Sequence, residues 1–92
     1  MAPSPTAGRK RVSLKISAKP GSEVYVAGSF NDWNPSQKQL KEKNGAYEGT
    51  LFLPRGRYEY KFVVDGNWQV DPECEEWTPN DFGSLNSVLV VN

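Results

Sequence analysis

The stretch from Tyr58 to Trp68, Tyr-Glu-Tyr-Lys-Phe-Val-Val-Asp-Gly-Asn-Trp, leaves this chain few folds to choose from. Tyr58, Tyr60, Phe62 and Val64 fall on one side and Glu59, Lys61 and Val63 on the other, the period of a strand with one buried face. Asp65-Gly66 then supplies the positive-φ pair that a tight type I′ hairpin requires, and the chain returns through Trp68, Gln69 and Val70. Trp68 is thereby presented near the hairpin tip. A second tryptophan, Trp33, sits in a polar loop of its own, Phe30-Asn31-Asp32-Trp33-Asn34-Pro35.

The other segments agree with a β protein. Residues 1 to 8 carry too little apolar surface to order themselves, so residues 1 to 10 are expected to be a flexible tail and 11 to 92 a single domain. Val12, Leu14 and Ile16 alternate with Ser13, Lys15 and Ser17 as a first strand, and Lys19-Pro20-Gly21-Ser22 is its turn. Val24 to Gly28 is a second strand, and Gln39-Leu40-Lys41 a short extended piece before the Asn44-Gly45 turn. Tyr47, Gly49, Leu51 and Leu53 then share one strand face and Glu48, Thr50 and Phe52 the other, with Pro54-Arg55-Gly56 leading into the Tyr58 strand. Asp71 to Gly83 reads as acidic, turn-rich and irregular, and Ser87 to Val91 as the last strand. No window holds a helical period. The expected fold is all-β, an antiparallel sandwich of about seven short strands in two sheets. Its core would be Val12, Leu14, Val24, Val26, Leu51, Leu53, Tyr58, Tyr60, Phe62, Val88 and Val90.

Several classes of function lack their chemistry. The chain has no histidine, its one cysteine, Cys74, therefore has no imidazole to activate it, and no serine has an identifiable base. Asp65, Asp71, Glu73, Glu75 and Glu76 could in principle hydrolyse a glycoside, but they lie in a loop of a domain too small to build a deep cleft around them. An enzyme is not expected. No cofactor or metal is expected either, since there is no His/Cys cluster and the acids lack the glycine-turned spacing of a calcium loop. No apolar run approaches the roughly twenty residues of a membrane-spanning helix, so no membrane is expected as a partner. Met1 to Arg11 has no hydrophobic signal segment, and a single cysteine agrees with a reducing compartment; the expected location is cytoplasmic. Net charge is zero but uneven: the first twenty residues carry only basic charges and Asp65 to Asp81 only acidic ones. The basic stretch reads as solvated.

What remains is a surface. An indole left in water forfeits about 2 to 3 kcal/mol of burial, so a large aromatic in a polar loop either lids the core edge or waits to be covered by a ligand. A pyranose offers a flat C–H face for the ring and a rim of hydroxyls that needs polar partners. Asn31, Asp32 and Asn34 flank Trp33, and Asn67 and Gln69 flank Trp68, which suits a sugar better than an apolar ligand. Single-stranded nucleic acid also uses exposed aromatics, but the acidic surroundings of Trp68 remove the electrostatic basis for it, and no nucleic-acid partner is expected.

Val24-Tyr25-Val26-Ala27-Gly28-Ser29-Phe30-Asn31-Asp32-Trp33, Leu53 through Trp68, Asp71-Pro72 and Phe82-Gly83-Ser84-Leu85-Asn86, in this order, resemble the glycogen-binding domains of AMP-activated protein kinase β subunits, within carbohydrate-binding module family 48. The resemblance runs from about Val12 to Val91. It implies an immunoglobulin-like β-sandwich that binds α-1,4-linked glucans (glycogen, starch, malto-oligosaccharides, cyclodextrin) without cleaving them. By motif position Trp33 and Trp68 would be stacking platforms, and Lys61 and Asn86 would bond sugar hydroxyls. Phe82 stands where the kinase domain has a leucine and Ser84 where it has a threonine. Trp77 has no counterpart and reads as packing of the acidic loop. The resemblance also admits a catalytic protein partner, and an alternative in which the domain docks on that partner without binding sugar, using Phe52, Trp77 and the acidic loop.

Overall fold

The computed structural model describes residues 8–92. Among these residues eight strands follow one another: β1 (Arg9–Ser17), β2 (Val24–Gly28), β3 (Lys38–Lys43), β4 (Ala46–Pro54), β5 (Gly56–Val64), β6 (Asn67–Gln69), β7 (Trp77–Pro79) and β8 (Leu85–Val91), with a 3₁₀ turn, Ser29–Asn31, after β2. Every pairing is antiparallel, in the order β1-β4-β3-β2-β5-β8-β7, with β6 added beside β5. The all-β antiparallel expectation holds, with one refinement. The two expected sheets are joined, because β3 pairs with β2 through Lys38 to Leu40 and with β4 through Lys41 to Lys43. The resulting sheet curls, and Leu14, Ile16 and Tyr47 from one half meet Val24, Val26, Leu40, Tyr60 and Phe62 from the other in a single core.

β5 is the strand on which the site half is assembled. One of its edges pairs with β2 through Tyr60 to Val64; the other is shared, with β8 along Gly56 to Tyr60 and β6 along Phe62 to Val64. Lys61 therefore sits at the seam between β8 and β6. The Asp65-Gly66 turn has φ of 50° and 83°, as a type I′ hairpin requires, and is tied down by the Glu23 N–H donating to Asp65 Oδ1 at 2.8 Å. β4 and β5, although consecutive, do not pair: the Pro54-Arg55-Gly56 corner carries the chain from one half of the sheet to the other. The Tyr58 hydroxyl donates to the Pro54 carbonyl at 2.8 Å and braces that corner.

Three expectations change. Residues 1 to 7 of the expected tail lie outside the described residues, while Arg9 and Lys10 pair with Pro54 and Leu53 in β1. The acidic stretch read as irregular contains β7, paired to β8. Val90 is 54% exposed, because Tyr60 stands opposite Ser87; that register turns Ser87, Leu89 and Val91 inward and leaves Val90 on the outer face.

The start of the acidic segment is anchored from below. The buried Tyr60 hydroxyl donates to Asp71 Oδ2 at 2.7 Å, the Asp71 N–H donates to Ser87 Oγ at 2.8 Å, and Asp71 Oδ1 accepts the Glu73 N–H at 2.9 Å. Burial, reinforced by the adjacent carboxylate, pushes the Tyr60 phenol far above its ordinary value, so it remains a donor.

Candidate functional site

Residues directly opposed in a sheet share a face, so the register alone assembles one surface. Ala27 opposes Lys61, Trp68 opposes Val63 and Asn86 opposes Thr78, all on the outer face of β2, β5, β6, β7 and β8. A cavity of about 480 Å³ stands on this face, lined by Trp33, Lys61, Trp68, Asn80, Phe82, Ser84 and Asn86. It is open on one side and mostly apolar, with a few convergent polar groups on its floor, the character of a small-ligand site.

Each wall has its own local cause. Trp33 reaches the cavity because Asp32 and Trp33 both adopt left-handed backbone, with φ of 55° and 57°, a conformation uncommon outside glycine. The loop is held there by the Trp33 N–H donating to the Gly28 carbonyl at 2.9 Å and by Asn31. Asn31 Oδ1 accepts the Gly28 N–H at 3.0 Å, and its Nδ2 donates to the Val26 carbonyl at 3.2 Å. Gly28 has no room for a side chain: a Cβ there would lie 2.5 Å from the Glu59 carbonyl and 2.6 Å from the Phe30 ring. Trp68 comes from the short arm of the hairpin and is 44% exposed. Phe82, at 93% exposed, projects from the loop between β7 and β8 with almost nothing on either face.

The floor is a chain of polar contacts. Lys61, 9% exposed, donates from Nζ to Ser84 Oγ at 2.9 Å and, among the described residues, makes no ion pair within 4 Å of its ammonium. Asn86 is buried: its Nδ2 donates to Glu59 Oε1 at 3.0 Å, and its Oδ1 accepts from Asn80 Nδ2 at 2.9 Å. Glu59 Oε2 in turn accepts from the Arg57 guanidinium at 3.0 Å. Hydrogen bonding from Asn86, and then from Arg57, holds the Glu59 carboxyl below the ordinary glutamate range.

All six residues singled out from the sequence, Trp33, Trp68, Lys61, Asn86, Phe82 and Ser84, line this cavity. Asn80 lines it too and was missed. A lone asparagine in a turn-rich stretch carries no signal of its own, and only its bonds reveal it. Three of the polar neighbours expected to serve the two tryptophans are engaged or turned elsewhere. Asn31 is spent on its own loop, Asn34 Oδ1 accepts the Ser36 N–H at 2.9 Å, and Gln69 opposes Phe62, on the side of β6 away from Trp68. Trp77 opposes Ser87 and so also turns away from the cavity; its Nε1 donates to the Asp71 carbonyl at 3.3 Å, which is the loop packing expected of it. Phe52 and Trp77 lie on β4 and β7, with four strands between them in the sheet order. Among the described residues no group of three or more His, Cys, Asp or Glu is placed to hold a metal ion, and no helix is long and apolar enough to cross a membrane.

The profile of the glycogen recognition site of AMP-activated protein kinase matches residues 12–92. Protein PTST homolog 2, chloroplastic, from Arabidopsis thaliana is 49% identical over 71 residues, covering 77% of this chain and 13% of that protein. The 5′-AMP-activated protein kinase subunit beta-1 of Sus scrofa is 39% identical over 71 residues, covering 77% of this chain and 56% of that one. The chain thus spans little more than half of one of these relatives and about an eighth of the other. Among solved structures, the maltogenic amylase from S. marinus superposes with a TM-score of 0.77 at 23% identity, covering 92% of this chain and 14% of that one, a likeness of fold.

Proposed function

This chain belongs to the family of the glycogen recognition site of AMP-activated protein kinase, and from that membership we propose that it is a non-catalytic module binding α-1,4-linked glucans such as glycogen, starch, malto-oligosaccharides and cyclodextrins. The observation that carries the proposal is the cavity with Trp33 and Trp68 in its walls and the Lys61 ammonium on its floor. In this reading the two indoles stack on sugar faces, while Lys61, Ser84 and the remaining N–H of Asn86 bond hydroxyls at the ring edge. Phe82 adds an apolar surface that gains burial only when a ligand covers it. Nothing here cleaves the glucan. The affinity follows from the small number of contacts, each of which must displace water, and lies on the order of ten micromolar to millimolar. Tighter attachment then comes from many chain ends or from tethering to a larger protein, and we take a catalytic partner to be what the module carries to the polysaccharide. The cytoplasm is the compartment we assign, in keeping with the single unpaired cysteine Cys74.

The test is a titration with β-cyclodextrin and maltoheptaose followed by tryptophan fluorescence and amide shifts. The parent chain binds, and Trp33→Ala and Trp68→Ala each weaken binding at least about tenfold while staying folded, since each removes about 1.5 to 3 kcal/mol of aromatic burial. A folded parent with no response at millimolar sugar overturns the proposal and leaves docking on a protein partner as the function of the domain.

A further inference from the structure

The polar relay beneath the cavity has a direction. A carboxylate can only accept hydrogen bonds and a backbone N–H can only donate, so the two ends of the relay fix every amide between them. Glu59, held by Arg57, draws the Asn86 Nδ2 toward itself at 3.0 Å. Asn86 Oδ1 is thereby turned to Asn80 and accepts its Nδ2 at 2.9 Å. Asn80 Oδ1 is left facing the loop, where it accepts the N–H of Phe82 at 2.9 Å and of Ser84 at 3.1 Å. The same turn is closed by the Asn80 N–H donating to the Ser84 carbonyl at 2.9 Å. One carboxamide thus ties the segment that carries Phe82 and Ser84 to the sheet that carries Lys61 and Asn86.

We infer that Asn80 is a positioning residue for glucan binding: it touches the loop rather than acting chiefly on the sugar, and it holds Phe82 and Ser84 in their binding placement before the ligand arrives. The inference rests on the glucan-binding function proposed above. Its physical basis is that Phe82 is almost wholly exposed and has no packing of its own to order it. Without Asn80 the turn must be ordered at the moment of binding, and that entropy is subtracted from the affinity. The polarity of the relay also explains why an asparagine is needed. An alanine supplies neither end. An aspartate supplies the acceptors for the two N–H groups but offers an oxygen to Asn86 Oδ1, which Glu59 prevents from turning over.

The experiment compares the parent with Asn80→Ala and Asn80→Asp, measuring the Kd for β-cyclodextrin, hydrogen exchange at the Phe82 and Ser84 amides, and the unfolding midpoint. Asn80→Ala is expected to raise Kd by about tenfold, to speed exchange at both amides, and to lower the midpoint by only about a few degrees, so that the chain stays folded at the assay temperature. Asn80→Asp restores amide protection and part of the affinity. Equal affinity in parent and Asn80→Ala overturns the inference while leaving the glucan module intact. So does a loss of affinity fully accounted for by the fraction unfolded at the assay temperature, or an Asn80→Asp chain that protects the amides no better than Asn80→Ala. A parent that binds no glucan overturns both.

Discussion

At the scale of single residues, Glu59 acts on the site without entering the cavity, by accepting from Asn86. Its folded pKa lies below its ordinary value because Asn86 and Arg57 both favour the carboxylate. A depressed carboxyl contributes stability above the unfolded pKa and loses it as the pH falls through the folded value, so this contribution is present at neutrality and fades in acid. Glu59 is also partly exposed, and solvent screening keeps the effect small. Glu59→Gln retains an acceptor for Asn86 but has no proton to take up. Between about pH 6 and about pH 3 its unfolding midpoint should fall less than that of the parent. Thermal scans across that range check this, and parallel decline in the two chains would show that Glu59 is not linked to stability. Tyr60 and Asp71 illustrate the same economy inside the core, where a buried carboxylate is tolerated because a phenol and a backbone N–H satisfy it.

At the scale of elements, both ends of the strand order are exposed edges, and each carries a different safeguard. β7 contains Pro79, which has no N–H to offer an incoming strand. β1 is longer, and its outer face carries Arg9, Arg11 and Lys15, with Arg11 directly opposite Phe52, itself 44% exposed. The basic stretch that reads as solvated in the sequence is thus part of a strand, and its charges serve to keep a nine-residue edge from pairing with another chain. Replacing Arg11 and Lys15 together by valine should leave the fold intact, since both side chains are exposed, yet promote self-association beside Phe52. Light scattering across a concentration series measures it, and scattering equal to the parent's would remove this role from the charges.

At the scale of the whole molecule, the curled sheet turns one outer face into a site and leaves the other free, so a ligand that binds only the folded face must stabilise the entire domain. At a glucan concentration a hundredfold above Kd the gain is about 2.7 kcal/mol, which for a domain of this size raises the unfolding midpoint by on the order of ten degrees. Scanning calorimetry with β-cyclodextrin should show that rise in the parent and none in the Trp33→Ala, Trp68→Ala double variant; an unmoved parent at saturating sugar would contradict it. Much of this molecule was legible in its sequence because the information is local. Alternation in Tyr58 to Val64 marks a half-buried strand, Asp65-Gly66 and Asn44-Gly45 mark their turns through positive φ, and six of the cavity's lining residues follow from motif position. What the sequence could not determine depends on partners distant along the chain. The inward parity of β8 is set by Tyr60 meeting Ser87, against the pull of Val90's apolar side chain. The Pro54-Arg55-Gly56 corner joins two halves of the sheet where its turn residues alone would also permit a hairpin. In the sequence Asn31 looks free to serve a ligand and Asn80 carries no signal at all, and only packing shows that one secures the Trp33 loop and the other bonds the Phe82 turn. A hydrogen bond needs both partners at one place, and for these residues that place exists only once the chain has folded.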